Sequence, residues 1–505
     1  MVQVITKDVV GELKSAIGES KVSDDKYTRI AYRVSHAVET VMFDHENFTP
    51  GAVVWPESVE DVQKILKIAN DWEVPVVPIG GRTCSADSEG IKGSIIMDLA
   101  RMNKVIEFSE AKQRFTAEAG MRVADCTKYM ADRGYMLLEV PTMAKIATLA
   151  ARAAVHGYNK FENRWGSSAS YIRGLEVVLP DGDVVQLGRG TSAPTKSVVG
   201  YNLIDLFIGS RGTLGVVTKV TEKIIKTPPA YHYGIRAFKN YRDGVEAYID
   251  LRRAGAHVGP IWRAKCYHKW LLKQAVNGIM GLEWPEDVEM VTDYHILGEK
   301  DVVEATEKYA VDILKAHSGF WRDDMPPTDF VGRMHETAEK YMGMGALATD
   351  RNRNGGLGHR IVPYDANVPD GYLVEYFGEM LEHWRRMEDP KVYPNLSQRM
   401  RVISPGAPVP ADEGFTKFWA LAQASYIPPW TEEARQEYYD WFRKYAGLTR
   451  KYEGSISATH GHIPRAIEIE ILKKELGENY YKLMEQVKNL IDPKHILNPQ
   501  TKFRF

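Results

Sequence analysis

Short apolar runs and amphipathic helical patterns alternate over the first part of the chain. Ala52–Pro56, Val74–Ile79 and Ile95–Leu99 are apolar runs of strand length that contain many β-branched residues, and such runs indicate buried strands. Ser58, followed three positions later by Asp61, is a helix-start signature, and the apolar residues behind it recur at helical spacing. The pattern predicts a strand–helix–strand unit whose helix packs one face on a sheet.

A glycine pair follows the run 74–79. Gly80 and Gly81 remove side-chain bulk where a backbone turns sharply or lets another group come close. The small hydroxyl residues Thr83 and Ser85 follow, and exposed N–H groups in such a loop suit a phosphate-like anion. The helix of a Rossmann loop is missing, because a strand comes next. Taken alone, the loop is equally compatible with a plain tight turn.

Further elements are predicted on both sides of this unit. Residues 1–48 show helical patterns with polar breaks. Strands are predicted at Lys104–Phe108 and Arg114–Ala119, and an amphipathic helix at Val123–Arg133. Gly174–Val185 joins two β-branched runs through a Pro-Asp-Gly turn, which predicts a hairpin.

Two stretches contain residues that let a backbone come close to a neighbour. Thr148–Gly157 is rich in small residues, so it is predicted to lie against either another helix or a flat ligand. Gly209, Gly212 and Gly215 stand within seven residues, directly before a β-branched strand, and this also indicates close backbone approach.

The pattern of residues along the chain changes near Pro228 and Pro229. From Tyr231 to about residue 452, helical patterns carry many aromatic residues. We interpret this part as a second α+β domain, with Gly355–Arg360 as a loop inside it.

Composition and charge narrow the class of protein. The chain has 505 residues, of which 44% are hydrophobic and 26% charged, an ordinary globular profile. The 65 basic and 67 acidic residues leave a net charge of −2, so no global field favours nucleic acid or an anionic membrane. We therefore expect no nucleic-acid partner, and we leave homo-oligomer formation open.

The cysteines and the N-terminal residues indicate the cellular compartment in which the protein is expected. Cys84, Cys126 and Cys266 are odd in number and widely spaced, which excludes a disulfide framework and a CxxC metal site and fits a reducing environment. The first 20 residues include acidic ones and lack the apolar core of a signal peptide. No apolar run has the length of a transmembrane segment. We expect a soluble, cytoplasmic protein.

Five segments, in this order, resemble the vanillyl-alcohol oxidase/p-cresol methylhydroxylase (PCMH) flavoprotein superfamily. The similarity is greatest to its branch of glycolate oxidase large subunits, D-lactate dehydrogenases, D-2-hydroxyglutarate dehydrogenases and alkyldihydroxyacetonephosphate synthases. Gly200–Val217 is similar to the family's G-Y-D-L…F-x-G-S-E-G-T-L-G, and the C-terminal segment to its D-P-x-x-I-L-N-P. The five segments are Val53–Pro56 with its following helix, Pro78–Ser85, Gly174–Val185, Gly200–Val217 and Ile491–Pro499. The motifs cover residues 50–226 and 454–500. Residues 230–450 match the family only in their length and their position along the chain.

The resemblance implies an α+β fold in three parts. Residues 1–228 would form a PCMH-type FAD-binding domain of two subdomains, with a helical lead-in at 1–48. Residues 229–453 would form an α+β cap that shapes the substrate cavity and excludes water. Residues 454–505 would return to the FAD-binding domain.

The resemblance also implies FAD as the cofactor, with the Pro78–Ser85 loop holding its diphosphate through backbone N–H groups. This loop contains Cys84 but no histidine, so we expect noncovalent FAD. The implied cofactor-binding residues are Pro78, Ile79, Gly80, Gly81, Arg82, Thr83, Cys84, Ser85, Pro141, Thr142, Thr148, His156, Gly157, Gly209, Arg211, Gly212, Leu214, Gly215, Val216, Val217 and Asn498.

The candidate catalytic residues are two histidines and two arginines. His460 matches the family histidine near the reactive face of the flavin and would be the general base. His359 follows the glycine-rich loop and would face His460 across the cavity. Arg360 and Arg465 are candidates for binding a substrate carboxylate, because a guanidinium pairs with it through two hydrogen bonds. For each residue a purely structural role is the alternative.

Several positions depart from the family pattern. Arg82 replaces the third glycine of the loop, Ala150-Ala151 a glycine pair, and Arg211 the glutamate of G-S-E-G-T-L-G. The G-D-G-N motif of the family's metal site is missing, and Thr459 replaces the glutamate of E-H-G. We therefore predict no metal, although His359, His460 and His462 could together ligate one as imidazoles.

The leading hypothesis is an FAD-dependent dehydrogenase that oxidises a D-lactate-like or glycolate-like 2-hydroxy acid by hydride transfer to flavin N5. Electrons would then pass to an electron-accepting protein or a quinone rather than to NAD. One alternative is an oxidase or dehydrogenase of a phenolic or aryl alcohol, favoured by the aromatic-rich cap. The other is a flavin-binding, non-catalytic subunit of an oxidoreductase complex.

Overall fold

The computed structural model describes residues 5–33, 42–43, 45–83, 90–138, 141, 143–159, 161–188, 200–269, 285–321, 359–404, 408–410, 415–425, 429–457 and 462–503. Its helices are α1 Lys7–Ile17, α2 Lys26–Tyr32, α3 Val59–Asp71, α4 Val123–Ala131, α5 Leu149–Ala154, α6 Glu162–Trp165, α7 Ser168–Tyr171, α8 Ile204–Phe207, α9 Tyr241–Val258, α10 Lys300–Ala316, α11 Leu373–Met387, α12 Glu432–Lys451, α13 Glu468–Leu476 and α14 Glu478–Ile491. Its strands are β1 Val22–Ser23, β2 Ala52–Val54, β3 Val76–Ile79, β4 Ile95–Asp98, β5 Val105–Ser109, β6 Arg114–Glu118, β7 Tyr135–Leu137, β8 Ile172–Val178, β9 Val184–Gly188, β10 Val216–Lys226, β11 Ala230–Phe238, β12 Ile261–His268, β13 Met290–Gly298, β14 His359–Pro369, β15 Met400–Ser404, β16 Pro408–Pro410 and β17 Phe415–Ser425. In the described ranges, no helix combines the length and the apolar composition needed to cross a bilayer.

The chain divides into two compact units. The first unit comprises Met1–Tyr158, Ser168–Ile225 and Ile463–Phe505, and the second comprises Asn159–Ser167 and Lys226–His462. The long excursion into the second unit thus runs from 226 to 462, whereas the sequence placed the cap at 229–453. The short excursion at 159–167 was not indicated by the sequence.

The smaller sheet of the first unit has the order β1-β2-β4-β3. Both β2 and β3 run parallel to β4, which lies between them. The predicted strands and the helix α3 are confirmed, and the Ser58 hydroxyl caps α3 by accepting a hydrogen bond from Asp61 N–H at 3.2 Å. The expectation of helix with polar breaks over 1–48 is confirmed at α1 and α2 but not at β1, where Val22 and Ser23 pair antiparallel with β2.

The larger sheet of the first unit has the order β5-β6-β10-β8-β9, with β7 also pairing with β10. The predicted hairpin is confirmed as β8 and β9, which pair antiparallel from Gly174↔Gly188 to Val178↔Val184. The inward side chains of its central strands, such as Val177 and Val220, are fully buried. This sheet provides the apolar core behind the segment 209–217.

The C-terminal segment is bound to the first unit by main-chain and charged contacts. Val76 N–H donates to the Ile496 carbonyl at 2.8 Å, and Asn498 N–H donates to the Val76 carbonyl at 2.9 Å. The fully buried Lys488 ammonium lies 2.5 Å from Asp492 Oδ2 and also donates to the Leu497 carbonyl at 2.8 Å. The segment therefore extends the free edge of β3.

The second unit contains two antiparallel sheets. One has the order β11-β13-β12, and the other has the order β14-β17-β15 with β16 paired to β17. Tyr364, Trp384, Trp441 and Tyr445 are buried around a shared aromatic core between α11 and α12. The predicted loop at 355–360 is wrong at its end, because His359 and Arg360 begin β14.

We predict that Asp492→Ala removes about 3–5 kcal/mol from the free energy of unfolding, because it leaves the buried Lys488 charge without its carboxylate. Lys128 and Asp132 form an exposed pair with the same residue types and spacing. Asp132→Ala should therefore cost less than about 1 kcal/mol. Urea unfolding followed by far-UV circular dichroism measures both; equal costs would contradict the electrostatic role of the buried pair.

We also predict that His383 makes the second unit sensitive to acid. Its ring is stacked on Trp441 with 4.9 Å between centroids, and burial lowers the pKa of His383 from 6.5 to about 4. The folded state therefore favours the neutral ring, and stability is lost as the pH falls from about 6.5 to about 4, by about 3 kcal/mol. His383→Phe should flatten the dependence of the thermal midpoint on pH in this window. An unchanged pH dependence in His383→Phe would contradict this role of the buried ring.

Candidate functional site

The loop after β3 lies against residues 146–151 at main-chain distance. Pro78 and Ile79 end β3, and a Cβ on Gly80 would stand 2.2 Å from Thr148 Oγ1. A Cβ on Gly81 would stand 2.0 Å from the Ile146 carbonyl oxygen. Glycine is therefore required at both positions by this contact.

Thr148 contributes a buried hydroxyl to this contact. Its side chain is 3% exposed, and Oγ1 has no hydrogen-bond partner among the residues that the structure describes. In the same ranges, the N–H groups of Gly80 and Gly81 donate to no carbonyl outside the regular strands. A buried hydroxyl without a partner costs about 1–3 kcal/mol, so this group fits a ligand that supplies an acceptor oxygen.

Left-handed backbone conformations occur repeatedly at the predicted cofactor-binding positions. Arg82, His156, Arg211 and Asn498 have φ between 42° and 57°. They are four of the ten non-glycine residues with positive φ in the described part of the chain. Each such residue costs about 1–2 kcal/mol, so this strain is concentrated in the segments that carry the predicted site.

The segment 209–211 is bonded to the end of α5. Gly209 N–H donates to the Ala153 carbonyl at 3.0 Å, and Arg211 N–H donates to the Ala154 carbonyl at 2.8 Å. Asn498 Nδ2 donates to the Arg211 carbonyl at 3.0 Å. The small residues of α5 thus allow close approach of protein backbone, and the predicted site residues Gly209, Arg211 and Asn498 are brought together.

Other predicted cofactor-binding residues lie in the protein core. A Cβ on Gly212 would stand 2.6 Å from Pro78 Cγ, and one on Gly215 would stand 2.4 Å from Val177 Cγ1. A Cβ on Gly157 would meet the Arg152 guanidinium at 2.2 Å. These glycines have a packing role within the protein. Leu214, Val216, Val217 and Pro141 are buried, and His156 is exposed.

Arg82 is directed toward helix α2. Its guanidinium donates to the carbonyls of Ala31 at 3.3 Å and Tyr32 at 3.4 Å, and lies 5.1 Å from the centre of the Tyr32 ring. The Tyr32 hydroxyl donates to Asp98 Oδ2 at 2.6 Å. Burial, with Asp98 beside it, raises the pKa of Tyr32 to about 12, so it remains a donor at neutral pH. Arg82 therefore ties α2 to the carboxyl ends of β3 and β4, a role that the sequence left open.

Several predicted residues fall outside the described part of the chain or are described only by their backbone. Cys84, Ser85, Thr142 and His460 lie outside the described residues. His359 and Arg360 pair with Ser425 and Ala424 of β17 through their backbone. Arg465 belongs to the first unit, where it donates to Gln500 Oε1 at 3.2 Å.

His462 is buried in the second unit. Its Nε2 lies 2.8 Å from the Tyr438 hydroxyl oxygen, which lies 2.8 Å from that of Tyr364. Across the ranges that are described, no three His, Cys, Asp or Glu residues are grouped as metal ligands. His462 is thus part of a buried hydrogen-bond chain.

A polar cluster that the sequence pattern did not indicate lies on one face of the sheet β11-β13-β12. Arg263 Nη1 lies 2.7 Å from His295 Nε2, and Arg263 Nη2 lies 2.9 Å from the Tyr267 hydroxyl oxygen and 3.5 Å from Asp293 Oδ2. The Tyr231 hydroxyl oxygen lies 2.9 Å from His295 Nδ1. The sequence feature that could have indicated this cluster is the spacing of polar residues at every second position along each strand, because such residues lie on one face of a sheet.

Comparison with known proteins identifies two domains. The model of the FAD binding domain matches residues 50–188, and that of the C-terminal domain of FAD linked oxidases matches residues 423–501. The D-lactate dehydrogenase (cytochrome) 1 of Saccharomyces cerevisiae is 28% identical over 469 residues, covering 90% of this chain and 73% of that protein. Glycolate oxidase subunit GlcD of Bacillus subtilis is 28% identical over 254 residues, 49% of this chain and 51% of that protein.

Solved structures show the same fold. The 4-ethylphenol oxidase of Gulosibacter chungangensis superimposes with a TM-score of 0.77 at 17% identity, covering 99% of this chain and 98% of that one. An alkyldihydroxyacetonephosphate synthase gives 0.73 at 18% identity, covering 99% and 86%. The predicted α+β, PCMH-type fold is confirmed. The partnerless Thr148 hydroxyl and the glycines beside it lie within the matched FAD-binding region and fit this cofactor. The chain thus contains an FAD binding domain and the C-terminal domain of FAD linked oxidases, has the fold of the PCMH-type flavoproteins, and is an oxidoreductase whose cofactor is FAD.

Proposed function

We propose that the protein is a dehydrogenase that oxidises the CH–OH group of a 2-hydroxy acid similar to D-lactate or glycolate, with electrons passing to an acceptor other than NAD. The observation that carries this proposal is the combination of both FAD-linked oxidase domains with relatives that are named for hydroxy-acid oxidation. Noncovalent FAD, an electron-accepting protein or quinone as partner, and a cytoplasmic location are part of the same proposal.

Bound FAD supplies the hydride acceptor at N5. In the first unit, the Thr148 hydroxyl and the amides of Gly80 and Gly81 would hold the diphosphate, while Arg82 fixes the loop through α2. His460 would take the proton of the substrate hydroxyl as general base. Arg360 and Arg465 remain candidates for the substrate carboxylate, since guanidinium–carboxylate pairs are strong and directional.

Anaerobic reduction of the purified, yellow protein tests the reaction. We expect D-lactate, glycolate or D-2-hydroxyglutarate to bleach the flavin absorbance, and His460→Gln to slow this bleaching at least a hundredfold because the general base is lost. Bleaching by 4-ethylphenol but by no hydroxy acid would select the aryl-alcohol alternative. Absence of any substrate-driven bleaching would select the non-catalytic subunit.

We predict that Thr148→Val weakens FAD binding about fivefold to tenfold, because one hydrogen bond to the cofactor is lost. The stability of flavin-depleted protein should not fall, since valine keeps the shape and removes a hydroxyl that has no partner there. FAD titration followed by flavin fluorescence, together with thermal unfolding, measures both effects.

Thr218→Val is the matched control. The Thr218 side chain is fully buried, but its hydroxyl donates to Glu176 Oε1 at 2.9 Å. This variant should lower the thermal midpoint and leave FAD affinity unchanged. Unchanged FAD affinity in Thr148→Val would exclude the hydroxyl from the cofactor site.

A further inference from the structure

Side chains of the C-terminal segment bind the loop 209–213 through its carbonyl groups. Lys502 Nζ donates to the Gly209 carbonyl at 2.6 Å. Asn498 Nδ2 donates to the Arg211 carbonyl at 3.0 Å. The loop and the C-terminal segment both belong to the first unit. These contacts therefore connect two parts of one unit that are 293 and 287 residues apart in the chain.

Lys488 binds a third carbonyl of the same loop. Its ammonium group is fully buried and donates to the Thr213 carbonyl at 2.7 Å. Its other two hydrogen bonds go to the Asp492 carboxylate and to the Leu497 carbonyl. An ammonium group has three donors, so Lys488 uses all of them within the protein and is held at one position.

Lys488, Asn498 and Lys502, here called the carbonyl clamp, extend from a backbone that is itself bound. Asn498 N–H donates to the Val76 carbonyl of β3 at 2.9 Å. The Tyr481 hydroxyl of α14 donates to the Lys502 carbonyl at 3.2 Å, and Tyr481 is buried. The carbonyl clamp therefore fixes the loop to both β3 and α14.

The carbonyl clamp determines the direction of one amide of the loop. In a trans peptide the C=O and the N–H point in opposite directions. The Arg211 carbonyl is directed at Asn498, so the Gly212 N–H of the same peptide is directed away from Asn498. A Cβ on Gly212 would stand 2.6 Å from Pro78 Cγ. Gly212 thus lies beside the strand end from which the glycine pair 80–81 continues.

In the described ranges, the Gly212 N–H donates to no main-chain carbonyl. The neighbouring amides of Gly209, Ser210, Arg211 and Thr213 all do so, at 2.8 to 3.2 Å. Gly212 is buried, and a buried main-chain N–H is almost always paired. An acceptor atom of a bound ligand fits this position, since it would pair the amide.

We propose that Lys488, Asn498 and Lys502 are positioning residues for FAD, which hold the loop so that the Gly212 amide stays directed at the cofactor. A donor that is fixed before the cofactor arrives loses less freedom on binding than a donor in a mobile loop. The proposal rests on FAD as the cofactor and on the predicted cofactor-binding role of Gly212. It holds whichever substrate is oxidised, and it requires no contact between the three side chains and FAD.

FAD titration of the flavin-depleted protein, followed by flavin fluorescence, tests the carbonyl clamp. We expect Lys502→Met to raise the FAD dissociation constant about tenfold, because the Gly209 carbonyl loses its donor and the loop is held less firmly. Lys502→Arg should restore most of the affinity, since a guanidinium can donate to the same carbonyl. The tenfold difference should persist at about 1 M NaCl, where long-range attraction between a lysine and the diphosphate is screened.

Lys494→Met is the matched control. Lys494 belongs to the same segment, but its ammonium donates to the Asn70 carbonyl of α3 at 3.0 Å. This variant removes the same charge and the same kind of hydrogen bond outside the loop, so the FAD dissociation constant should change less than twofold. Equal losses of FAD affinity in Lys494→Met and Lys502→Met would overturn the proposal, because they would reflect the general stability of the C-terminal segment.

Hydrogen exchange gives a second measurement that does not depend on activity. Coupling between two binding events is reciprocal, so bound FAD should stabilise the closed carbonyl clamp in turn. We expect FAD to slow exchange in peptides that contain Asn498 at least tenfold, as measured by mass spectrometry, and Lys502→Met to lose most of this effect. Lys494→Met should keep it. Equal exchange with and without FAD in the unsubstituted protein would overturn the proposal.

The carbonyl clamp and the proposed function fail separately. If a hydroxy acid bleaches the flavin but Lys502→Met binds FAD as tightly as the unsubstituted protein, the carbonyl clamp is wrong and the proposed function stands. If no hydroxy acid bleaches the flavin but Lys502→Met weakens FAD and Lys494→Met does not, the carbonyl clamp stands and the proposed function is wrong.

Discussion

The loop after β3 can lie against residues 146–151 only because Gly80 and Gly81 have no side chains. A Cβ at Gly80 would stand 2.2 Å from Thr148 Oγ1, and one at Gly81 would stand 2.0 Å from the Ile146 carbonyl oxygen, far inside contact distance. This contact places the buried Thr148 hydroxyl beside the main-chain amides of Gly80 and Gly81. The cofactor site depends on it, because a diphosphate is best held by donors that are fixed before it arrives.

A second constraint joins the end of the chain to this region. The Lys488 ammonium is buried, and burial lowers its pKa. The adjacent Asp492 carboxylate acts in the opposite direction and stabilises the charged form. Asp492 also accepts hydrogen bonds from the amides of Ile496 and Leu497, at 3.1 and 2.8 Å. The aspartate of the D-P-x-x-I-L-N-P motif thus forms the turn that carries Leu497 to the edge of β3. This turn gives the aspartate of the motif a structural role.

Local patterns predicted the elements that depend on neighbouring residues. The Ser58 cap, the hairpin β8–β9 and the strands β3 and β4 follow from short-range periodicity and turn chemistry, which a sequence displays directly. The two-residue strand β1 has no periodicity to detect. The insertion of β4 between β2 and β3, and the excursion at 159–167, are decided by long-range pairing, so the order of residues alone did not indicate them.

The candidate site was predicted unevenly for a similar reason. Glycines signal close approach, but they do not say whether protein or ligand approaches, and the structure assigns Gly212 and Gly215 to packing. The direction of Arg82 toward α2 depends on a helix 50 residues earlier in the chain. The polar cluster on the sheet β11-β13-β12 was missed because polar residues spaced by two in a largely buried sheet show no contrast between a buried and an exposed face.

Two buried hydroxyls without partners, one in each unit, connect these observations. Thr148 Oγ1 and Tyr233 Oη are the only buried hydroxyls in the described ranges that find no hydrogen bond. Valine and phenylalanine have nearly the same shapes and would avoid the cost of about 1–3 kcal/mol that each hydroxyl imposes. In the described ranges, no protein group accepts a hydrogen bond from either hydroxyl. Thr148 lies within the matched FAD-binding region, so a diphosphate oxygen is the acceptor that suits its surroundings.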